Sequence, residues 1–109
     1  MDSDWKKLPR VRVEVDPDLI DLIPDFITRK HADLAELKSA LESGDLDTIA
    51  AIGHKIKGEG GSFGFDAMSE IGGALEATGK KGDRESARQL ISDLGVYLEK
   101  IEVVEGPAS

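Results

Sequence analysis

Ile52-Gly53-His54-Lys55-Ile56-Lys57-Gly58-Glu59-Gly60-Gly61-Ser62-Phe63-Gly64-Phe65 is the stretch from which the fold can be read. Wound as a helix at about 100° per residue, it gathers Ile49, Ile52, Ile56 and Phe63 on one face, within about 60°. Such a stripe needs other helices to cover it. His54 points about 170° away from that face, toward water. Around it on the outer face lie Ala50, Ala51, Gly58 and Gly61, with Lys57 beside them. Small side chains around an exposed imidazole leave room for another protein to come close. The glycines are costly, because each one inside a helix is about 1 kcal/mol worse than alanine. Gly53 and Gly60 point toward the sides or the core, where close helix packing accounts for them. For Gly58 and Gly61, clearance over His54 is the better reading.

On the N-terminal side, Asp16-Pro17 is a helix-start signal, a capping residue followed by proline at the first helical position. It predicts a short helix through Leu22 that Pro24 interrupts or restarts. From Pro24, Phe26, Ile27, Leu34, Leu37 and Leu41 form one stripe, and Gly44 ends it. Asp45 is placed to cap the helix that carries His54. On the C-terminal side, Gly64 breaks that helix and Asp66 is the expected cap of the next. The third helix turns Met68, Ile71 and Leu75 inward and stops over residues 79–82. Asp83 caps a fourth, with the stripe Ala87, Leu90, Ile91, Leu94, Leu98 and Ile101. Short connections make neighbouring helices antiparallel.

The expected fold is all-α: an antiparallel up-down four-helix bundle over residues 16–103, with a short extra N-terminal helix or strap. Residues 1–15 are expected to form an irregular leader with a frayed start. Val11, Val13 and Val15 alternate with Arg12 and Glu14, as an extended segment does. No second strand is evident for it to join, so it is expected to lie along the bundle as a strap. Residues 104–109 are expected to be a flexible tail. The four stripes cover one another and leave no spare apolar face, which points to a monomer.

Composition narrows the function. The 109 residues suffice for one domain with one modest core. The chain has no cysteine, which excludes disulfides and thiolate metal sites. No run of about 18 apolar residues is present to span a membrane, and the N-terminus lacks the apolar core of a signal peptide. A cytoplasmic location is the default expectation. The net charge of −8 argues against nucleic acid, which needs a basic footprint. Lys80, Lys81 and Arg84 read as ordinary mixed surface, and His31 as a surface residue. There is no glycine-rich ATP loop, Walker motif or kinase Asp-Phe-Gly.

His54-Lys55-Ile56-Lys57-Gly58, followed by small residues and then Phe63-Gly64-Phe65, resembles the histidine-phosphotransfer (HPt) domain of two-component phosphorelays. With the flanking helical pattern, the resemblance spans residues 17–102. It implies that His54 accepts a phosphoryl group from the aspartyl phosphate of a response-regulator receiver domain, or from a sensor histidine kinase, and passes it on. It implies a phosphoryl carrier with no ATP site and no metal or cofactor of its own, the Mg2+ being held by the partner receiver domain. It assigns Gly58 to the close approach of the partner. Two positions depart from the common pattern. Gly53 stands where alanine is usual before the histidine, and Glu59 stands where a small residue is frequent. Glu59 lies about 140° around the helix from His54 and so does not block it.

The chemistry agrees. A neutral imidazole offers a nucleophilic nitrogen near neutral pH. For Nε2 to be the acceptor, Nδ1 must hold the proton and donate it to some group. Glu76, after the inward Leu75 and beside Gly72 and Gly73, is a candidate; a solvated surface glutamate is the equal alternative from the residues alone. The resemblance favours the first, because a polar residue 22 positions after the histidine commonly orients its ring. Lys57, one turn after His54, can hold a phosphoryl oxygen. Taken alone it reads as a plain exposed lysine, and the resemblance supplies the role. A metal site built from His54 and Glu76 has too few donors. The alternative to phosphotransfer is a non-catalytic four-helix interaction module in which His-x-x-Lys is incidental. The initial methionine favours a free-standing protein over a domain cut from a larger sensor kinase.

Overall fold

The structure, a computed structural model, describes residues 4–107. Four helices make the bundle: α1 (Ile23–Ser43), α2 (Leu46–Phe63), α3 (Asp66–Lys81) and α4 (Arg84–Lys100). Each packs on two neighbours in cyclic order, α1 closing the ring against α4. The stripes read from the sequence meet in the centre, where Phe26, Leu37, Ile49, Ile56, Leu75 and Leu94 are fully buried.

The three junctions share one device. Gly44, Gly64 and Gly82 take φ of 72°, 86° and 74°, a left-handed turn that glycine adopts without strain. The chain then reverses at once. After Gly44, Asp45 caps α2 by accepting from the Thr48 backbone N–H at 3.1 Å. After Gly82, Asp83 does the same for α4 through Ser86. The middle junction differs from expectation. Phe65, not Asp66, occupies the cap position, and no side chain caps α3. The core takes precedence there, since Phe65 is fully buried 5.3 Å from the Phe26 ring. Asp66 becomes the first helical residue, where its charge still faces the positive end of the helix.

Ahead of α1, the helix expected after Asp16-Pro17 is reduced to turns and a 3-10 segment, Ile20–Leu22. Asp16 accepts from the Asp18 N–H at 2.8 Å, which holds the first turn. Pro24 has no N–H to bond Ile20, so an α-helix begun at residue 17 cannot run through it.

The largest departure is a two-stranded parallel sheet. Strand β1 (Val11–Val15) pairs with β2 (Ile101–Glu105), Val13 opposite Val103. The strap therefore does have a partner strand. Ile101, placed by the stripe on the last turn of α4, instead leaves the helix in an extended conformation with ψ 137°. Ile101, Val103 and Val104 are β-branched and suit a strand. Residues 104 and 105 are thus strand, not tail, and the Gly106 N–H donates to the Val15 carbonyl at 2.8 Å. The remainder of the expected tail lies partly outside the described residues, as does the frayed start at 1–3. The leader is anchored from Asp4 to Lys7. Trp5 is buried edge-on against Tyr97 at 5.2 Å, and Lys6 pairs with Asp93 at 2.9 Å. Burial, with Asp66 nearby, pushes the Tyr97 hydroxyl well up from its ordinary pKa.

A charged network joins α1 to α2. The Lys30 side chain is 0% exposed. Its ammonium donates to Asp33 and to Glu59, both at 2.6 Å, beside the Phe26 ring. Asp33 also accepts from Lys55 of α2, and Arg29 donates to Glu59. Partial burial opposes ionisation of Glu59, but Lys30 and Arg29 outweigh it and hold its carboxyl below the usual range. With the folded pKa below the unfolded one, that stabilisation is complete above the ordinary glutamate range and is lost as pH falls through the folded value. Asp33→Ala should cost about 3 kcal/mol in urea unfolding, because buried Lys30 loses one of its two carboxylates. Glu36→Ala, on the exposed side of the same helix, should change stability by less than about 0.5 kcal/mol.

Candidate functional site

The site is built on the seam between α2 and α3, where backbone lies on backbone. A methyl group added at Gly53 would stand 2.6 Å from the Glu76 nitrogen and 2.7 Å from the Gly72 oxygen. One added at Gly72 would stand 2.5 Å from the Lys57 nitrogen, and one at Gly79 would stand 2.8 Å from that of Ala50. Gly60 meets Ser69 in the same way at 3.0 Å. These contacts make Gly53 and Gly60 packing glycines, as the sequence indicated.

That approach brings α3 within reach of the histidine. His54 stands on the outer side of α2, its side chain 74% exposed. Its Nδ1 lies 3.0 Å from Glu76 Oε2, and the Glu76 side chain is only 18% exposed. A carboxylate accepts, so Nδ1 is the nitrogen that donates, and in the neutral ring this tautomer puts the lone pair on Nε2. No described residue bonds to Nε2.

Lys57 is exposed, and its side chain crosses α3 at Gly73, where an added methyl would touch its Cδ at 3.5 Å. Its carbonyl accepts from the Ser69 hydroxyl at 2.8 Å. Gly58 faces open space, and Gly61 has only the Ser69 hydroxyl nearby, at 3.6 Å. Ala51 is exposed as expected. Ala50 is not on the open face. It is half-buried in the seam, because Gly79 lets α3 lie against it, with 2.9 Å from the Ala50 Cβ to a methyl added there. Lys55 turns away from the site to Asp33. His31 is exposed on α1.

Lys80 is the residue that sequence reasoning missed. It lies 3.3 Å from Glu76 Oε2, the oxygen that also faces Nδ1. The Glu76-x-x-x-Lys80 spacing was the available signal. Partial burial opposes ionisation of Glu76, yet Lys80, and then His54, pull its carboxyl below the ordinary range. Among the described residues no three His, Cys, Asp or Glu cluster in a way that would hold a metal ion.

The Hpt domain family model matches residues 14–103. The chain belongs to the Hpt domain family. Hpt domains carry out histidine phosphotransfer in phosphorelays and interact with response regulators and kinases. The match begins within β1 and ends within β2 of this Hpt domain, so it takes in the whole bundle and part of each strand. No curated protein and no solved structure matches the chain. Among the described residues, no helix is long and apolar enough to cross a membrane.

The two kinds of glycine should separate on mutation. Gly53→Ala should lower stability by about 1–3 kcal/mol, since backbone on both sides blocks the new methyl. Gly58→Ala, in open space, should raise it by up to about 1 kcal/mol through helix propensity. Thermal melts of the two variants measure both signs.

Proposed function

We propose that this Hpt domain is phosphorylated on His54 Nε2 and exchanges that group with the aspartate of a response-regulator receiver domain. The observation that carries the reading is the Nδ1–Glu76 contact at 3.0 Å beneath an otherwise open ring. In the transfer, the Nε2 lone pair attacks phosphorus, the N–P bond forms, and the P–O bond to the partner's aspartate breaks. The aspartate leaves as carboxylate. The ring gains positive charge while Nδ1 keeps its proton, and Glu76 stabilises that charge through the hydrogen bond. Lys57, with no carboxylate partner among the ion pairs of the described residues, supplies a cation for the phosphoryl oxygens. Magnesium for the reaction belongs to the receiver domain, and positioning is this chain's main contribution. Ala51, Gly58 and Gly61 form the open docking surface, and Ala50 supports it from the seam. A sensor histidine kinase is the other donor this surface suits.

The domain acts as a monomer in the cytoplasm under this reading. The exposed large apolar residues, Leu8, Leu22 and Val96, lie on three different segments.

Incubation with phosphorylated receiver domains tests the assignment. Wild type and His31→Gln should gain phosphate that is labile in acid and stable in base. His54→Gln should gain none, with a melting temperature that barely moves, because the site is exposed. Acid-labile phosphate on His54→Gln, or no labelling of wild type by any receiver, would return the chain to the interaction-module reading.

Docking is tested separately with Gly58→Leu. Leucine is the better helix former and space is open there, so the free domain should be at least as stable. Its transfer rate should nevertheless collapse, by 100-fold or more in the manner of a misplaced reacting pair, on the order of 2–3 kcal/mol. A normal rate in a folded Gly58→Leu domain would remove clearance from the mechanism.

A further inference from the structure

Glu76 poses a problem for the nucleophile it serves. A carboxylate 3.0 Å from Nδ1 fixes the ring, but an unopposed negative charge also favours the imidazolium. Once Nε2 is protonated it has no lone pair and cannot attack phosphorus. The site needs an acceptor that orients strongly and draws protons weakly.

Lys80 meets that need by its position. It sits one turn after Glu76 on α3 and places Nζ 3.3 Å from the same Oε2. The other charges around the ring do not do this. Lys57 shares the helix of His54 and lies across Gly73, Lys55 is bound to Asp33 of α1, and the remaining seam neighbours, Ala50 and Gly79, are uncharged. Lys80 is thus the cation that acts on the orienting carboxylate itself.

We propose that Lys80 is a positioning residue that shares Glu76 Oε2 with His54, so that the carboxylate orients Nδ1–H without drawing a second proton onto Nε2. The inference rests on the phosphotransfer reading for its purpose, but its central test needs no phosphoryl partner.

The test is an NMR titration of the His54 ring nitrogens in the full chain. Lys80→Ala should move the titration midpoint up by about half a unit, a modest shift because the lysine is exposed. Lys80→Arg should restore the wild-type midpoint. In a Glu76→Gln background, where there is no carboxylate charge to temper, Lys80→Ala should move it by less than half as much. A receiver assay adds a kinetic readout. Relative to wild type, Lys80→Ala should transfer about two-fold more slowly at the wild-type midpoint pH, and the gap should close about two pH units above it.

An unmoved midpoint overturns the proposal, and so does a full shift that persists in the Glu76→Gln background. A rate loss that is the same at both pH values also overturns it, because that marks Lys80 as a docking residue. A midpoint that moves as stated supports the role of Lys80 even if no receiver labels His54, in which case the phosphotransfer reading fails alone. Normal labelling with an unmoved midpoint has the opposite meaning.

Discussion

The backbone contact between α2 and α3 at Gly53 and Gly72 governs the geometry of this molecule. Side chains normally hold packed helices apart, and the spacing follows their size. Here a single methyl at either position would run into main-chain atoms of the facing helix. Glu76 reaches Nδ1 because its own backbone nitrogen lies against Gly53. The glycines lower helix propensity by about 1 kcal/mol each, and close packing must offset that loss. Stability and site geometry are therefore set by the same atoms. A change that widened the seam would withdraw the carboxylate before it unfolded the bundle.

The opposite side of α2 is held differently. There Lys30, Asp33, Lys55, Glu59 and Arg29 tie it to α1 through charge. Buried ion pairs add little net stability over apolar packing, because desolvation cancels most of the attraction. What they do well is penalise displacement, since a shifted helix would strand a buried ammonium. With glycine contacts on one side and directed ion pairs on the other, α2 has little freedom to rotate about its axis. The direction of His54 is the consequence. The network also allocates the two lysines beside His54: Lys55 is committed to Asp33, while Lys57 is left to face solvent.

Much of this was legible in the sequence, because the signals were local. The apolar stripes repeat at helical spacing, the left-handed glycines mark each junction, and Asp45 and Asp83 cap where a capping residue belongs. The outward placement of His54 followed from periodicity alone. What was not legible depended on distant partners. Ile101 continues the helical stripe and equally begins a strand, and its partner Val11 lies at the other end of the chain. Phe65 displaced Asp66 from the cap because the core claimed it. Ala50 shared a helical face with His54 but lost its exposure to Gly79, a residue on another helix. Lys30 falls among apolar positions of α1, where its charge is tolerated through Asp33 one turn on and through Glu59, a distant partner on α2. Lys80 had a local signal, the four-residue spacing from Glu76, but its meaning came from the histidine across the seam.

The surface around His54 bears on the kind of association this domain makes. The exposed large apolar residues lie on neither α2 nor α3. The open face offers glycine, alanine and lysine, without the aromatic or aliphatic anchors that concentrate energy in long-lived interfaces. Gly58 and Gly61 leave space over this face and offer little side chain to grip. Under the phosphotransfer reading that is the useful arrangement. A carrier must bind, align its ring to within bonding distance and let go, so affinity beyond what alignment requires would slow release. The glycines then serve two ends that look contradictory. Inside the seam they bring backbones into rigid contact, and on the outer face they keep contact slight. Both follow from the absence of a Cβ, and which one applies at a given position depends on whether α3 or solvent lies beyond it.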